Sequence, residues 1–242
     1  MDALVERIQH NIAVTQAAIQ RAAQSAGRAG QSVRMVIVTK THPTDVVAAV
    51  IEAGGQILGE NYPEESLPKI QALRRYPAVA WHMIGHVQSR KSAIVAAHFD
   101  MLHSLDSLRL AERLDRQVGD LAARQPLPVL LEFNVGGEES KHGWPAENES
   151  AWEALLPDLE RLMQLDHLSV QGLMTMPPYF DDPEESRPFF VKLRRLQAFL
   201  QHRLPGVNFT ELSMGTSTDY TVAVQEGATL VRIGRAILGP RI

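Results

Sequence analysis

The chain has 242 residues, a length that one α/β barrel of about 250 residues would use whole, and its 45% hydrophobic and 21% charged content is that of a globular protein with a sizeable core. A net charge of −4 gives no basic surplus for nucleic-acid phosphates, and the nearest basic cluster, Lys192 with Arg194 and Arg195, reads as a solvated helix face. The absence of cysteine excludes disulfides and thiolate metal sites; with no apolar run long enough to span a bilayer or form a signal sequence, a soluble cytoplasmic protein is expected, without a nucleic-acid or membrane partner.

Along the chain, Leu4, Ile8, Ile12 and Ile19 fall on one helical stripe and predict an extra N-terminal helix, expected to cover an open end of the fold. Eight short β-type runs follow: Val33 to Val38, Gln56 to Glu60, Ala80 to Ile84, Met101 to Leu105, Val129 to Val135, Val170 to Met176, Phe209 to Met214 and Leu230 to Ile233. The segments between them have helical periodicity, as in Phe189, Leu193, Leu196 and Leu200. Gly54 marks a helix end after Val46 to Ala53, and Asp182 followed by Pro183, Glu184 and Glu185 has the pattern of an N-cap with a proline and acids in the first turn.

Eight alternations of strand and helix fit a closed (β/α)8 barrel or a doubly wound open sheet. The open sheet would favour a glycine-rich first strand-to-helix turn, yet Thr39-Lys40-Thr41-His42-Pro43 contains no glycine. The expectation is therefore an α/β protein with a single TIM-type barrel domain spanning 1–242, in which Gly136 and Gly137 form a loop inside one unit.

Active sites of such barrels lie at the C-terminal ends of the strands, with phosphate held by the loops after the last two. There the sequence has Ser213-Met214-Gly215-Thr216-Ser217 and Arg232-Ile233-Gly234-Arg235. Small hydroxyl residues and glycines can present donors to phosphate oxygens, although the same residues also make plain tight turns. Lys40 follows the apolar run Met35 to Val38 at the barrel mouth, where burial would favour a neutral amine able to form a Schiff base. An amine nucleophile together with phosphate donors suggests pyridoxal 5'-phosphate (PLP). His82 and His86 are four residues apart, a spacing that gathers metal ligands only on a helix; with no HExxH pattern no metal is expected. His82 is placed in the site lining, and His86 and His142 in solvent. No G-x-S-x-G nucleophile elbow occurs.

From about Arg34 to Arg241 the chain resembles the YggS-type pyridoxal phosphate homeostasis proteins. The likeness is carried by Val38-Thr39-Lys40-Thr41, Gly59-Glu60-Asn61-Tyr62, Trp81-His82-Met83-Ile84-Gly85 with Gln88, His103-Ser104-Leu105-Asp106, Gly172-Leu173-Met174, Leu212-Ser213-Met214-Gly215 and Val231-Arg232-Ile233-Gly234. The chain departs from the usual pattern at Thr216, Arg90 and the Gly136-Gly137 pair. The resemblance implies a barrel related to the alanine racemase N-terminal domain, with Lys40 as the internal aldimine, Asn61 near the ring hydroxyl, Arg232 facing the pyridine nitrogen, and Ser213, Gly215 and Gly234 on the phosphate. It implies a monomer that binds and buffers PLP in vitamin B6 and amino-acid homeostasis, with amino acids and PLP-dependent apoenzymes as further partners. Two enzyme readings compete with it. A racemase needs proton donors on both faces of the substrate carbon, one of which alanine racemase draws from a second domain that this chain lacks. A phosphosugar isomerase would use an acid such as Glu60 and leave Lys40 unmodified.

Overall fold

In the computed structural model, which describes residues 2–29, 33–122 and 124–239, the apolar runs become strands that are buried on both faces. They are β1 (Arg34–Val38), β2 (Ile57–Glu60), β3 (Ala80–Met83), β4 (Met101–Leu105) and β5 (Leu127–Asn134), then a two-residue β6 (Trp144–Pro145), then β7 (Leu168–Met174), β8 (Glu211–Ser213) and β9 (Leu230–Ile233). Each pairs in parallel with the next, β6 standing aside as a short addition to β5. The ring closes where β9 meets β1, in register from Arg34 opposite Leu230 to Ile37 opposite Ile233. The result is an eight-stranded parallel (β/α)8 barrel. Continuous apolar runs suit it because one face of each strand fills the barrel and the other faces helices. Val36, Met101, Leu130, Met174 and Leu230 fill the interior, with Ile57 and Ile84 against them.

The helices are α1 (Asp2–Ser25), α2 (Thr44–Glu52), α3 (Pro63–Ala72), α4 (Ser92–His98), α5 (Leu108–Gly119), α6 (Leu156–Leu162), α7 (Arg187–Arg203), α8 (Tyr220–Gln225) and α9 (Arg235–Leu238). Phe190, Leu193, Leu196 and Leu200 form the buried face of α7, each worth roughly 1.5–3 kcal/mol of apolar burial. Phe189, expected on that face, is half-buried and stacks on Phe180. Gly54 ends α2 as expected, at φ +98°. Asp182 does accept a hydrogen bond from the Glu184 amide, but the turn it caps is a 3-10 turn, Pro183–Ser186, that leads into α7.

Two expectations change. The N-terminal helix does not cover an open end: α1 packs against α2, α8 and α9 on the barrel flank, because its stripe of Ile8 and Ile19 matches the apolar faces of those helices. The Asn11 side chain ties the middle of α1 to α9 by donating to the Ile237 carbonyl at 2.8 Å. Lys192, read as solvated, instead bonds the carbonyls of Val135 and Glu147 and ties α7 to the loop after β5. Among the described residues, no helix is long and apolar enough to cross a membrane. Arg241, where the sequence resemblance ends, lies outside the described residues.

Candidate functional site

The C-terminal ends of the strands surround a cavity of about 350 Å³, within the range of small-molecule sites. Lys40 lies two residues beyond the end of β1, and both of its neighbours are pinned by α3. The Thr39 carbonyl accepts from Lys69 Nζ at 3.3 Å, its hydroxyl donates to Glu60 Oε1 at 2.8 Å, and the Thr41 amide donates to Glu65 Oε1 at 2.8 Å. Thr41 has φ 65°, a left-handed conformation that a β-branched residue adopts only when its surroundings enforce it. Lys69, itself buried, bridges Glu60 and Glu65, each at 3.0 Å. Burial pushes the Glu60 carboxyl upward, opposed by the charge of Lys69 and by hydrogen bonds from Thr39 and Lys69. Glu60 is fully buried and absent from the cavity wall, so it is not the base that an isomerase would need there.

Beyond the end of β2, the neighbour of β1, Asn61 leans against the backbone of Gly85, where a β-carbon would lie 2.7 Å from the Asn61 carbonyl oxygen. Asn61 Oδ1 is buried and without a hydrogen-bond partner, an acceptor awaiting a donor from whatever fills the cavity. After β8, Gly215 turns the chain at φ +90° in a spot where a β-carbon would meet Ala223 Cβ at 2.5 Å. The turn carries Thr216 and Ser217 to the cavity wall. Thr216 is held by Asp219, which accepts from its amide and its hydroxyl. Ser217 Oγ accepts from the amides of Gly234 and Ala236 at 3.2 and 3.3 Å, and so occupies an acceptor position between two convergent N–H groups.

Arg232 is buried at the end of β9. Its Nη1 donates to Ser213 Oγ at 2.6 Å and its Nη2 to the Thr175 carbonyl at 3.0 Å. Burial lowers its pKa to about 10, against the opposing charges of Asp219 and Glu132, so the guanidinium stays charged near neutral pH. Glu132, on the cavity wall, is pushed up to about 7 by burial and by Asp106, with Arg232 and Lys141 pulling the other way.

Lys40, Asn61, Thr216, Arg232 and Gly234 are thus brought to one cavity. His82, Ser213, Met214 and Gly215 do not line it. Ser213 and His82 point into the barrel interior below, Met214 packs into the apolar layer outside the strands, and Gly215 shapes the turn. The wall also includes Ser217, which the sequence marks only as part of the stretch Ser213 to Ser217, together with Glu132, Ser140, Lys141 and His142, which the sequence does not assign to the site. His86 and His142 are exposed as expected, but their rings stack 3.7 Å apart at the cavity rim, and His86 Nδ1 lies 2.7 Å from Asp106 Oδ2. The ligand atoms of these three residues lie within 4.8 Å of one another, although two parallel stacked imidazoles do not converge their lone pairs on one point.

A parallel barrel with a lysine after its first strand and amide donors after its last defines the class to which the alanine racemase N-terminal domain belongs, and the model of that family matches residues 5–241. A pyridoxal phosphate homeostasis protein of Vibrio alginolyticus is 38% identical over 239 residues, covering 97% of both chains, and one of Pseudomonas aeruginosa is 40% identical over 235 residues, covering 97% of this chain and 96% of the other. PipY of Synechococcus elongatus, solved with PLP bound, superimposes with a TM-score of 0.78 at 34% identity, covering 92% of this chain and all of that one. The chain belongs to the family of pyridoxal phosphate homeostasis proteins.

Proposed function

We propose that the protein binds PLP in the cavity at the barrel mouth, holds it through a reversible covalent link to Lys40 Nζ, and serves vitamin B6 and amino-acid homeostasis as a carrier. The observation that carries this reading is the convergence of Lys40, Asn61, Arg232 and Gly234 on one cavity. The residues fit the group. Bound there, PLP supplies an aldehyde that an amine captures reversibly. The unpartnered Asn61 Oδ1 would accept the ring hydroxyl, and Arg232 would face the pyridine nitrogen. The amides of Gly234 and Ala236, with the Ser217 and Thr216 hydroxyls, would hold the phosphate. In this reading the whole chain works as one cytoplasmic, monomeric PLP-binding unit, with amino acids and PLP-dependent apoenzymes receiving the cofactor and without a turnover of its own. Arg232 supports that last point: a charged guanidinium opposes protonation of the ring nitrogen and keeps the ring a weak electron sink.

The test is a titration of purified protein with PLP followed by absorbance. Wild-type protein is expected to give a saturable visible band at one equivalent, and Lys40→Ala to lose the band while keeping its melting temperature. A Lys40→Ala protein with the same band would overturn the reading.

A further inference from the structure

We infer that His103 and His82 are positioning residues for Arg232, acting through a one-way hydrogen-bond chain that runs from Arg232 to Ser213, His103 and His82. The inference rests on the proposed PLP site only for its consequence at the cofactor; the chain itself lies within the barrel.

The direction follows from counting protons. A guanidinium has donors only, so Arg232 Nη1 must donate to Ser213 Oγ across 2.6 Å. Ser213 is fully buried, and its hydroxyl has one proton to place. The other polar neighbour of that oxygen is His103 Nδ1, at 2.9 Å. If His103 Nδ1 carried a proton, two donors would converge on Ser213 Oγ and the hydroxyl proton would be stranded in the interior, at the cost of an unmade buried hydrogen bond. Ser213 therefore donates to His103 Nδ1. A neutral His103 must then carry its proton on Nε2, which lies 2.9 Å from His82 Nδ1 and donates to it. His82 in turn is protonated on Nε2.

The surroundings keep both rings neutral, as the chain requires. Burial pulls His82 down to about 3, helped by the charge of Arg34, and it holds His103 far below the ordinary histidine range, with His82, Arg232 and Arg34 adding to the effect. Two neutral imidazoles in series thus fix the acceptor face of Ser213 toward Arg232, and the Thr175 carbonyl fixes the other arm of the guanidinium. Ser213, expected on the phosphate, is by this account committed to Arg232.

The experiment is long-range 1H–15N correlation NMR on ligand-free, 15N-histidine-labelled protein, with a parallel PLP titration of wild type, His103→Leu and His103→Asn. Expected are neutral Nε2–H tautomers for both histidines between pH 6 and 8. His103→Leu, which removes the acceptor, should weaken PLP binding about tenfold, and His103→Asn, which can return an acceptor near the Nδ1 position, should recover most of the loss. A neutral Nδ1–H tautomer at His103 in the wild-type protein, whatever the variants do, would overturn the chain, as would wild-type affinity in a folded His103→Leu protein. The expected tautomers in a wild-type protein that takes up no PLP would support the chain and overturn the proposed function instead, so the two failures are distinguishable.

Discussion

The Thr41 amide donates to the Glu65 carboxylate at 2.8 Å while Thr41 holds φ 65°, and together these pin the residue that follows Lys40 to α3, three elements further along the chain. The lysine is therefore presented from a backbone whose conformation is imposed by α3. Glu65→Ala removes the acceptor and leaves a costly left-handed conformation without its main support. The expected result is a several-fold loss of PLP affinity with a small fall in melting temperature, measured by absorbance titration and thermal denaturation on the same preparations.

Lys69 and Glu60 form a buried pair beneath that turn, at 3.0 Å. Removing one partner of a buried pair costs roughly 3–5 kcal/mol, because the other charge is stranded, whereas removing both can be nearly neutral. Lys69→Met should accordingly lower unfolding free energy by an amount of that order in urea, and adding Glu60→Gln should restore much of it. Equal destabilisation in the single and double variants would mean that the pair contributes only through packing.

The barrel was legible in the sequence because parallel strands buried on both faces leave continuous apolar runs. All eight expected strands fall within two residues of their observed ends. Strand β6 was not legible: Trp144 and Pro145 carry no periodicity, and they are drawn to β5 by the packing of Trp144 against Phe133. Lys40 could be read because it lies two residues beyond an apolar strand, whereas the place of Asn61 near the ring rested on the family resemblance alone. Ser213 and Ser217 show the limit of that reading. Both are hydroxyls near the end of β8, but the strand's alternation turns Ser213 inward to Arg232, and the turn at Gly215, at φ +90°, carries Ser217 round to the wall. Ser140 to His142 lie in a loop without periodicity, placed by contacts such as that of Lys141 with the Pro177 carbonyl.

Glu132 makes stability depend on pH. Its folded pKa, about 7, is raised from an ordinary value of 4.5, so the folded state holds a proton that the unfolded chain has already released. Stability should then fall as pH rises from about 4.5 through 7, by on the order of 3 kcal/mol from this group alone. Glu132→Gln should flatten that slope and be more stable than wild type at pH 8, as read by urea denaturation across the range. A parallel slope in the variant would contradict the assignment.

Gly234 lies where an added side chain meets only ordinary contact, the nearest atom being Val38 Cβ at 3.4 Å. Gly234→Asp should therefore fold normally yet set a negative charge beside the amides proposed for the phosphate. Affinity for PLP is expected to fall at least tenfold, while the weaker affinity for pyridoxal, which has no phosphate, stays nearly the same. Equal losses for both ligands, measured by competitive titration, would move the phosphate elsewhere.

If Lys40 is the amine that holds the cofactor, chemical reduction will trap the link there. Protein incubated with one equivalent of PLP is treated with borohydride, which fixes any lysine adduct irreversibly, and is then digested and mapped by mass spectrometry. A single phosphopyridoxyl group is expected on the peptide that contains Lys40. A label found instead on Lys91 or Lys141, or none at all on a protein that has bound PLP, would contradict it.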